Sequence, residues 1–205
     1  MEQQKYLVDL REIREIMHRS SRFISLSGLS GIAAGVVALG GAFLAYRTVY
    51  ADLPDLGYGT VDLSPAALLD LVWIASVTAI MAIGLGIYFT TRKARKEQEK
   101  VWDAQTRRLL INLAIPLVTG AMVCLLFLTQ GLIGFLAPMT LIFYGLALVN
   151  ASKFTLDEMR SLGLIEIGLG LMSMAYIGYG LWFWATGFGV LHIVYGIIMQ
   201  RRYGS

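Results

Sequence analysis

Cysteine and histidine are scarce in this chain. Cys124 is the one cysteine among 205 residues, which excludes an intrachain disulfide and a multi-cysteine metal site. The two histidines, His18 and His192, form no zinc-protease helix, and the sequence contains neither a Gly-x-Ser-x-Gly nucleophile elbow nor a phosphate-binding glycine loop. No residue pattern therefore supports an enzyme, a catalytic residue, a metal or a cofactor.

Charge is also sparse. Charged residues make up 15% of the chain, against 57% hydrophobic residues, and they are confined to short stretches. A water-soluble domain distributes polar residues along every helix. Crossing a hydrocarbon core of ~30 Å takes roughly 20 mostly apolar residues, and such runs occur repeatedly here. They lack the alternation of period two that a membrane β-barrel needs. We therefore expect an all-α, polytopic membrane helical bundle.

The apolar runs predict about six transmembrane helices within a domain over 23–203. Ser64 and Pro65 are typical of an N-cap and a first helical position, so they mark the start of the second helix. A turn at Thr186 and Gly187 is expected between the fifth and sixth helices. The predicted spans are about 23–46, 65–89, 109–129, 132–150, 161–184 and 187–203.

Basic residues predict the orientation of the helices. Sixteen of the seventeen Lys and Arg residues lie before the first run, between the second and third, between the fourth and fifth, or after the sixth. Arg47 is the exception. The positive-inside rule then places both termini in the cytoplasm. Because these residues flank apolar segments, membrane lipid is the expected partner and nucleic acid is not.

Residues 1–22 precede the first apolar run and are predicted to form an amphipathic helix. Tyr6, Leu10, Ile13 and Met17 follow one another at steps of four, three and four, which puts them on one helical face. Such a helix is expected to lie along the inner membrane surface. A coiled-coil or docking helix for a cytoplasmic protein partner is the alternative.

A short motif recurs near the ends of the fourth and sixth helices. Residues 141–145 read LIFYG and residues 192–196 read HIVYG, an offset of 51 residues. The same offset pairs the third helix with the fifth. This pattern predicts three consecutive hairpins of the same orientation around an axis normal to the membrane. The alternative is chance recurrence of short apolar motifs.

Small residues at four-residue steps form a ridge on the first helix. Ser27, Gly31 and Gly35 would let another helix approach closely, which is how helices associate where lipid removes the hydrophobic driving force. The ridge predicts a packing surface. Whether that surface joins helices of one chain or subunits of a homo-oligomer stays open.

Ionisable groups within the apolar runs are the candidate functional residues, because a central charge costs ~3 kcal/mol even by the lower estimates. Glu166 is predicted near the cytoplasmic side of the fifth helix, with Asn112 and Ser27 at similar depth. His192 and Asp70 are predicted about a turn and a half in from the outer face. Together these five residues form a candidate polar route. The alternatives are an interfacial carboxylate paired with an arginine, and a histidine bonded to a tyrosine.

The run RSSRFISLSGLSG at residues 19–31, after DLREIR at residues 9–14, resembles the start of an uncharacterised family of bacterial six-helix inner-membrane proteins. The resemblance implies location and helix count only. Two functions remain. The first is a small channel or transporter for an ion, a proton or a small metabolite. The second is a non-catalytic membrane sensor or scaffold that acts through residues 1–22. Polar groups at two depths favour transport.

Overall fold

The computed structural model of the chain describes residues 27–50, 64–98 and 101–203. The predicted amphipathic helix over residues 1–22 lies outside these ranges, and so do the first four residues of the first predicted span. Every regular element in the described ranges is helical. The all-α prediction is therefore confirmed for the described part of the chain.

Seven α-helices follow one another in the described ranges, joined by short 3-10 and π-helical segments. The α-helices are α1 Gly28–Ala45, α2 Pro65–Lys96, α3 Ala104–Thr129, α4 Leu136–Ala151, α5 Glu158–Ala175, α6 Gly180–Trp184 and α7 His192–Tyr203. The π-helical segments are Tyr46–Tyr50 and Ala185–Leu191, and the 3-10 segments are Ile133–Phe135, Ser152–Phe154 and Ile177–Tyr179.

Five helical segments of the described chain are long and apolar enough to cross a membrane. They are Gly28–Thr48, Pro65–Lys96, Ala104–Thr129, Ile133–Phe154 and Ile177–Tyr203. The length and composition of these five segments are those of a membrane protein. The remaining long helix, α5, has 18 residues and carries three charged residues, Glu158, Arg160 and Glu166.

The helices that flank the second predicted loop are longer than the sequence suggested. α2 continues to Lys96 instead of ending near 89, because cations in its last turn interact favourably with the helix dipole. α3 begins at Ala104 instead of 109. Asp103 caps it, accepting hydrogen bonds from the Thr106 backbone N–H at 2.7 Å and the Thr106 hydroxyl at 2.8 Å. The Thr106 backbone hydrogen bond lowers the pKa of the Asp103 carboxyl below its usual value.

The expected turn at Thr186 and Gly187 does not occur there. The chain bends at Tyr176, whose φ of −125° and ψ of 60° end α5. Thr186 and Gly187 instead lie in the π-helical segment Ala185–Leu191, which joins α6 to α7. A side chain at Gly187 would overlap the buried side chains of Glu166 and Leu141. This glycine therefore provides space for helix packing and does not form a turn.

Close packing of glycines brings α1 against the last helix. A side chain on Gly31 would meet the backbone of Gly196, and one on Gly35 would overlap the carbonyl oxygen of Gly189. Gly145 and Gly163 make a similar contact between α4 and α5. The predicted ridge therefore lies against helices of the same chain.

Basic residues of the described ranges gather at one end of the bundle, at the starts of α3 and α5 and the ends of α2, α4 and α7. We call this the basic end, and the start of α1 lies there too, because Gly28 packs against Gln200 near the end of α7. The Lys93 ammonium group donates to the Tyr203 carbonyl oxygen at 2.8 Å. Arg202 forms a 2.7 Å ion pair with Glu158. These contacts tie the ends of α2 and α7 to the start of α5.

Candidate functional site

Glu166 is the most deeply buried ionisable residue of the described chain. It lies two turns into α5, and none of its surface is exposed. Neither carboxylate oxygen has a hydrogen-bond partner among the described residues. Buried polar atoms are nearly always hydrogen-bonded, so an unpartnered carboxyl group is an exception that calls for a functional explanation.

His192 lies beside this carboxyl group, at the start of α7. Its Nδ1 is 3.6 Å from the Glu166 Oε1 and 3.0 Å from the Gly187 carbonyl oxygen. Its Nε2 is 2.7 Å from the Tyr144 hydroxyl oxygen. A carbonyl can only accept, so Nδ1 carries a hydrogen, and in the neutral ring Nε2 accepts from the tyrosine. The partners thus assign the tautomer of His192.

The π-helical segment Ala185–Leu191 creates the room for this cluster. A Cβ at Gly187 would overlap the Glu166 Oε2 and the Leu141 side chain. A π-helix has wider turns than an α-helix because its backbone hydrogen bonds run five residues apart. The His192 imidazole reaches back to this segment, where its Nδ1 lies 3.0 Å from the Gly187 carbonyl oxygen. The wider turn and the missing side chain therefore position both members of the Glu166–His192 pair.

Aromatic rings cover the pair on one side. The centroid of the Phe188 ring lies 4.8 Å from that of Tyr144 and 5.9 Å from that of His192. The planes of the Phe188 and His192 rings are nearly parallel, with an angle of 17° between them. Trp184 follows at 4.9 Å from Phe188. This aromatic stack of Trp184, Phe188, His192 and Tyr144 runs from the buried pair toward the end of the bundle opposite the basic end.

Other polar groups lie on α5 above and below Glu166. Ser173, two turns further along the same face, is fully buried, and its hydroxyl has no partner among the described residues. Toward the basic end, the Tyr195 hydroxyl donates to the Ser161 hydroxyl at 3.1 Å. Glu158 follows, bonded to Arg202 and to the Tyr203 hydroxyl. α5 therefore carries polar groups along most of its length.

The sequence placed Glu166 and His192 near opposite membrane faces, and the structure brings them into contact. The turn expected at 186–187 would have left His192 about six residues from the outer end. The observed bend at Tyr176 puts it sixteen residues along the final helical segment, at the depth of Glu166. The tyrosine that bonds to His192 is Tyr144.

The other three residues of the predicted route lie apart from this cluster. The Asn112 side-chain amide donates to the Arg108 carbonyl oxygen at 2.8 Å, and the backbone carbonyl oxygen of Asn112 accepts from the Asn150 side-chain amide at 2.9 Å. Ser27 is buried at the start of α1. Asp70 is exposed on α2. None of the three makes a polar contact with Glu166 or His192 among the described residues.

Tyr144 and Gly187 were not identified as site residues from the sequence. A tyrosine in the middle of an apolar helix carries a hydroxyl that needs a partner, and this signal could have marked Tyr144. Gly187 carried no comparable signal, because its role depends on the side chain that faces it. Among residues 27–50, 64–98 and 101–203, no three His, Cys, Asp or Glu side chains converge as a metal site requires.

A separate cavity of about 170 Å³ lies near the end opposite the basic end. α1, α2, the start of α4 and the segment from Ile177 to Trp184 form its walls, which are mostly apolar. None of the five residues of the predicted polar route lines it. Trp184, the outer member of the aromatic stack, does.

Comparison with known proteins adds no relative: no protein-family model, no curated protein sequence and no solved structure matches this chain. The geometry of the Glu166–His192 pair and of the cavity is therefore what bears on function.

Proposed function

We propose that this chain is a bacterial inner-membrane protein whose helices cross the bilayer with the basic end, and both termini, in the cytoplasm. Five apolar spans and the gathering of Lys and Arg at one end support this orientation. Together with these five spans, α5 brings the number of crossings in this arrangement to six. Its ionisable Glu166 would be costly against lipid and is tolerated because it faces the bundle interior.

Within this membrane domain, we propose that the protein is a small proton-dependent carrier in which the Glu166–His192 pair binds the proton. The observation that carries the proposal is the fully buried, unpartnered Glu166 carboxyl group 3.6 Å from the His192 imidazole. With one proton on the pair, the site has no net charge, whether the two groups are neutral or form an ion pair. Losing that proton leaves an uncompensated buried charge, which is unfavourable.

The burial of the pair favours a carrier over an open channel. A site without any exposed surface exchanges its proton only when the helices move and let water or a cation reach it. Proton binding and helix movement are then linked, as transport by alternating access requires. We propose that the entering proton or cargo contacts Asn112 and Ser27 toward the basic end and Asp70 toward the other end.

The direct test is proton flux in proteoliposomes that enclose a pH-sensitive dye, driven by a potassium diffusion potential. We expect wild-type protein to carry protons and Glu166→Gln to lower the rate about a hundredfold, the scale of a lost proton-transfer group. His192→Ala is expected to lower it as well. The control, Asp103→Asn, also converts an acid to its amide but retains an N-cap, so its rate should match wild type.

Equal flux in wild-type protein, Glu166→Gln and His192→Ala would remove the pair from the mechanism. A second assay, with a sodium gradient imposed at constant pH, distinguishes a proton from a metal cation as the bound ion. Flux that follows sodium at constant pH would contradict proton binding.

We also propose that the three predicted hairpins derive from a repeat. Gly145 of the fourth span packs against α5, and Gly196 of the sixth packs against α1. These two glycines end the two copies of the LIFYG-like motif, and each contacts the helix that begins the next hairpin if the three hairpins close in a ring. The equivalent contacts support the repeat.

A further inference from the structure

The cavity near Trp184 is half-open and lined by small residues from several helices. Glycines and alanines make up much of its wall, including Gly41, Ala75, Ala137 and Gly180. Side chains of this size leave space where leucines would close the interface. The result is a concave, mostly apolar cavity of about 170 Å³, and concave apolar sites are the kind that bind small molecules.

The chemistry of the wall selects an uncharged, apolar occupant. Thr78 and Thr140 supply the hydroxyl groups in the wall, and each donates to a carbonyl oxygen of its own helix: Thr78 to Ile74 at 2.7 Å and Thr140 to Ala137 at 2.8 Å. Among the residues that the structure describes, no ionisable side chain lines the cavity. A charged ligand would lose its hydration without gaining a partner, whereas an apolar ligand gains contacts.

Size distinguishes a small molecule from a lipid tail. Apolar cavities of ~150 Å³ accept a benzene-sized ligand, and this cavity is close to that volume. A lipid acyl chain is longer than the cavity, and only a short segment of it would fit. The Trp184 ring in the wall also offers an aromatic face to a planar ligand.

The aromatic stack connects the cavity wall to the proton site. Trp184 contacts Phe188, and Phe188 contacts both the His192 and Tyr144 rings. A ligand that displaces the Trp184 ring therefore acts on a neighbour of the Glu166–His192 pair. This contiguous contact gives cargo and proton a physical route to influence each other.

We propose that this cavity is the cargo site, and that the cargo is a small, uncharged, largely apolar organic molecule of about the size of a substituted benzene. Its role as a cargo site rests on the proposed carrier function, whereas binding of such a molecule can be measured without transport.

Bromobenzene in lipid nanodiscs is a suitable probe, because its heavy atom quenches tryptophan fluorescence on contact. A variant that retains only Trp184, with Trp73, Trp102 and Trp182 replaced by phenylalanine, reports on the cavity. A second variant that retains only Trp73 is the matched control, since Trp73 is 71% exposed on α2, beside the cavity-lining Ile74. We expect saturable quenching of Trp184 and linear, non-saturable quenching of Trp73.

Filling the cavity should abolish the saturable component. In the single-Trp184 protein, Ala137→Leu and Ala75→Phe are each expected to weaken bromobenzene binding about tenfold or more, as lost space in an apolar pocket does. Ala75 has an exposed side chain, so its variant does not depend on repacking a buried position. Ala121→Leu, on the exposed face of α3, should leave binding unchanged.

Linear quenching of Trp184, equal to that of Trp73, would overturn the cavity as a small-molecule site and indicate lipid tails as its occupants. Saturable quenching that persists in both filling variants would also overturn it. Saturable binding that the filling variants remove, in a protein without proton flux, would support the site while rejecting the carrier function.

Discussion

Gly187 illustrates how one residue determines the geometry of the site. Its missing side chain leaves space for the Glu166 carboxyl group, and its carbonyl oxygen holds the His192 Nδ1 at 3.0 Å. Hydrogen bonding to a backbone carbonyl orients the imidazole, so that Nε2 faces the Tyr144 hydroxyl. Glu166 itself has no hydrogen bond that orients it among the described residues. Packing around Gly187 therefore positions the carboxyl group.

Replacing this glycine should displace the carboxyl group. We expect Gly187→Ala to cost about 1–3 kcal/mol of stability, as overpacking of a filled core does, and to lower proton flux. Adding Glu166→Asp shortens the acid by one methylene and should recover part of the loss in unfolding free energy. Titration of the purified protein with sodium dodecyl sulfate measures these free energies.

A double-mutant cycle gives the coupling between the two positions, which we expect to exceed about 0.5 kcal/mol. Gly168→Ala on α5 is the control, because a Cβ there meets open space. Additive effects of Gly187→Ala and Glu166→Asp would contradict the contact.

At the scale of helices, glycines hold α1 against the last helix. A Cβ on Gly35 would overlap the Gly189 carbonyl oxygen and would meet both the side chain and the backbone nitrogen of Ile193. The two backbone atoms cannot move aside by a change of rotamer. Gly31 and Gly196 make a comparable contact one turn away. Where lipid surrounds the helices, this closeness of backbones supplies much of the attraction between them.

Gly35 and Gly40 offer a matched comparison on one helix. Gly35→Ala should lower the free energy of unfolding by about 1–3 kcal/mol, because its Cβ would push the last helix away. Gly40→Ala gains the same helix propensity, up to about 1 kcal/mol in favour of folding, and a Cβ there meets nothing within 4 Å. Titration with sodium dodecyl sulfate measures both. Equal effects of the two substitutions would show that the close contact at Gly35 contributes nothing to the free energy of unfolding.

At the scale of the whole molecule, α5 decides the number of crossings. Counting only the five clearly apolar spans would place the two termini on opposite sides. α5 packs between α4 and the last helix, and its start is tied to the end of α7 through Glu158 and Arg202. In the orientation that we propose, α5 is therefore a further crossing, which gives six in total and puts both termini on one side.

Thiol labelling of intact cells tests this topology. In a Cys124→Ala background, we expect cysteines introduced at Gln4 and at Ser205 to react with a membrane-impermeant maleimide only after lysis. A cysteine at Gln130, in the turn between α3 and α4, should react from outside, because the positive-inside rule places that end away from the cytoplasm. Reaction of Gln4→Cys and Ser205→Cys from opposite sides would contradict a crossing by α5.

Much of this architecture follows from residue types alone. Long apolar runs can satisfy their backbone groups only as helices in a lipid environment, and lysines and arginines between the runs mark one end. The Ser64–Pro65 start of α2 was readable for the same reason: a cap and a proline act on the backbone next to them, where the Ser64 hydroxyl accepts from the Ala67 N–H at 3.2 Å. Glu166 could also be selected as a candidate from the sequence, because an acid in an apolar run is costly against lipid.

The tertiary structure alone decided which residues meet. Thr186 and Gly187 have the composition of a turn, yet they continue a helix, because the neighbours of Gly187 are Glu166 and Leu141 from other helices. That displacement of the bend brought His192 to Glu166 and Tyr144. The cavity beside Trp184 likewise exists only where small residues of separate helices face one another. Composition and periodicity report on each helix and its solvent, whereas contacts between helices depend on shapes that no single segment contains.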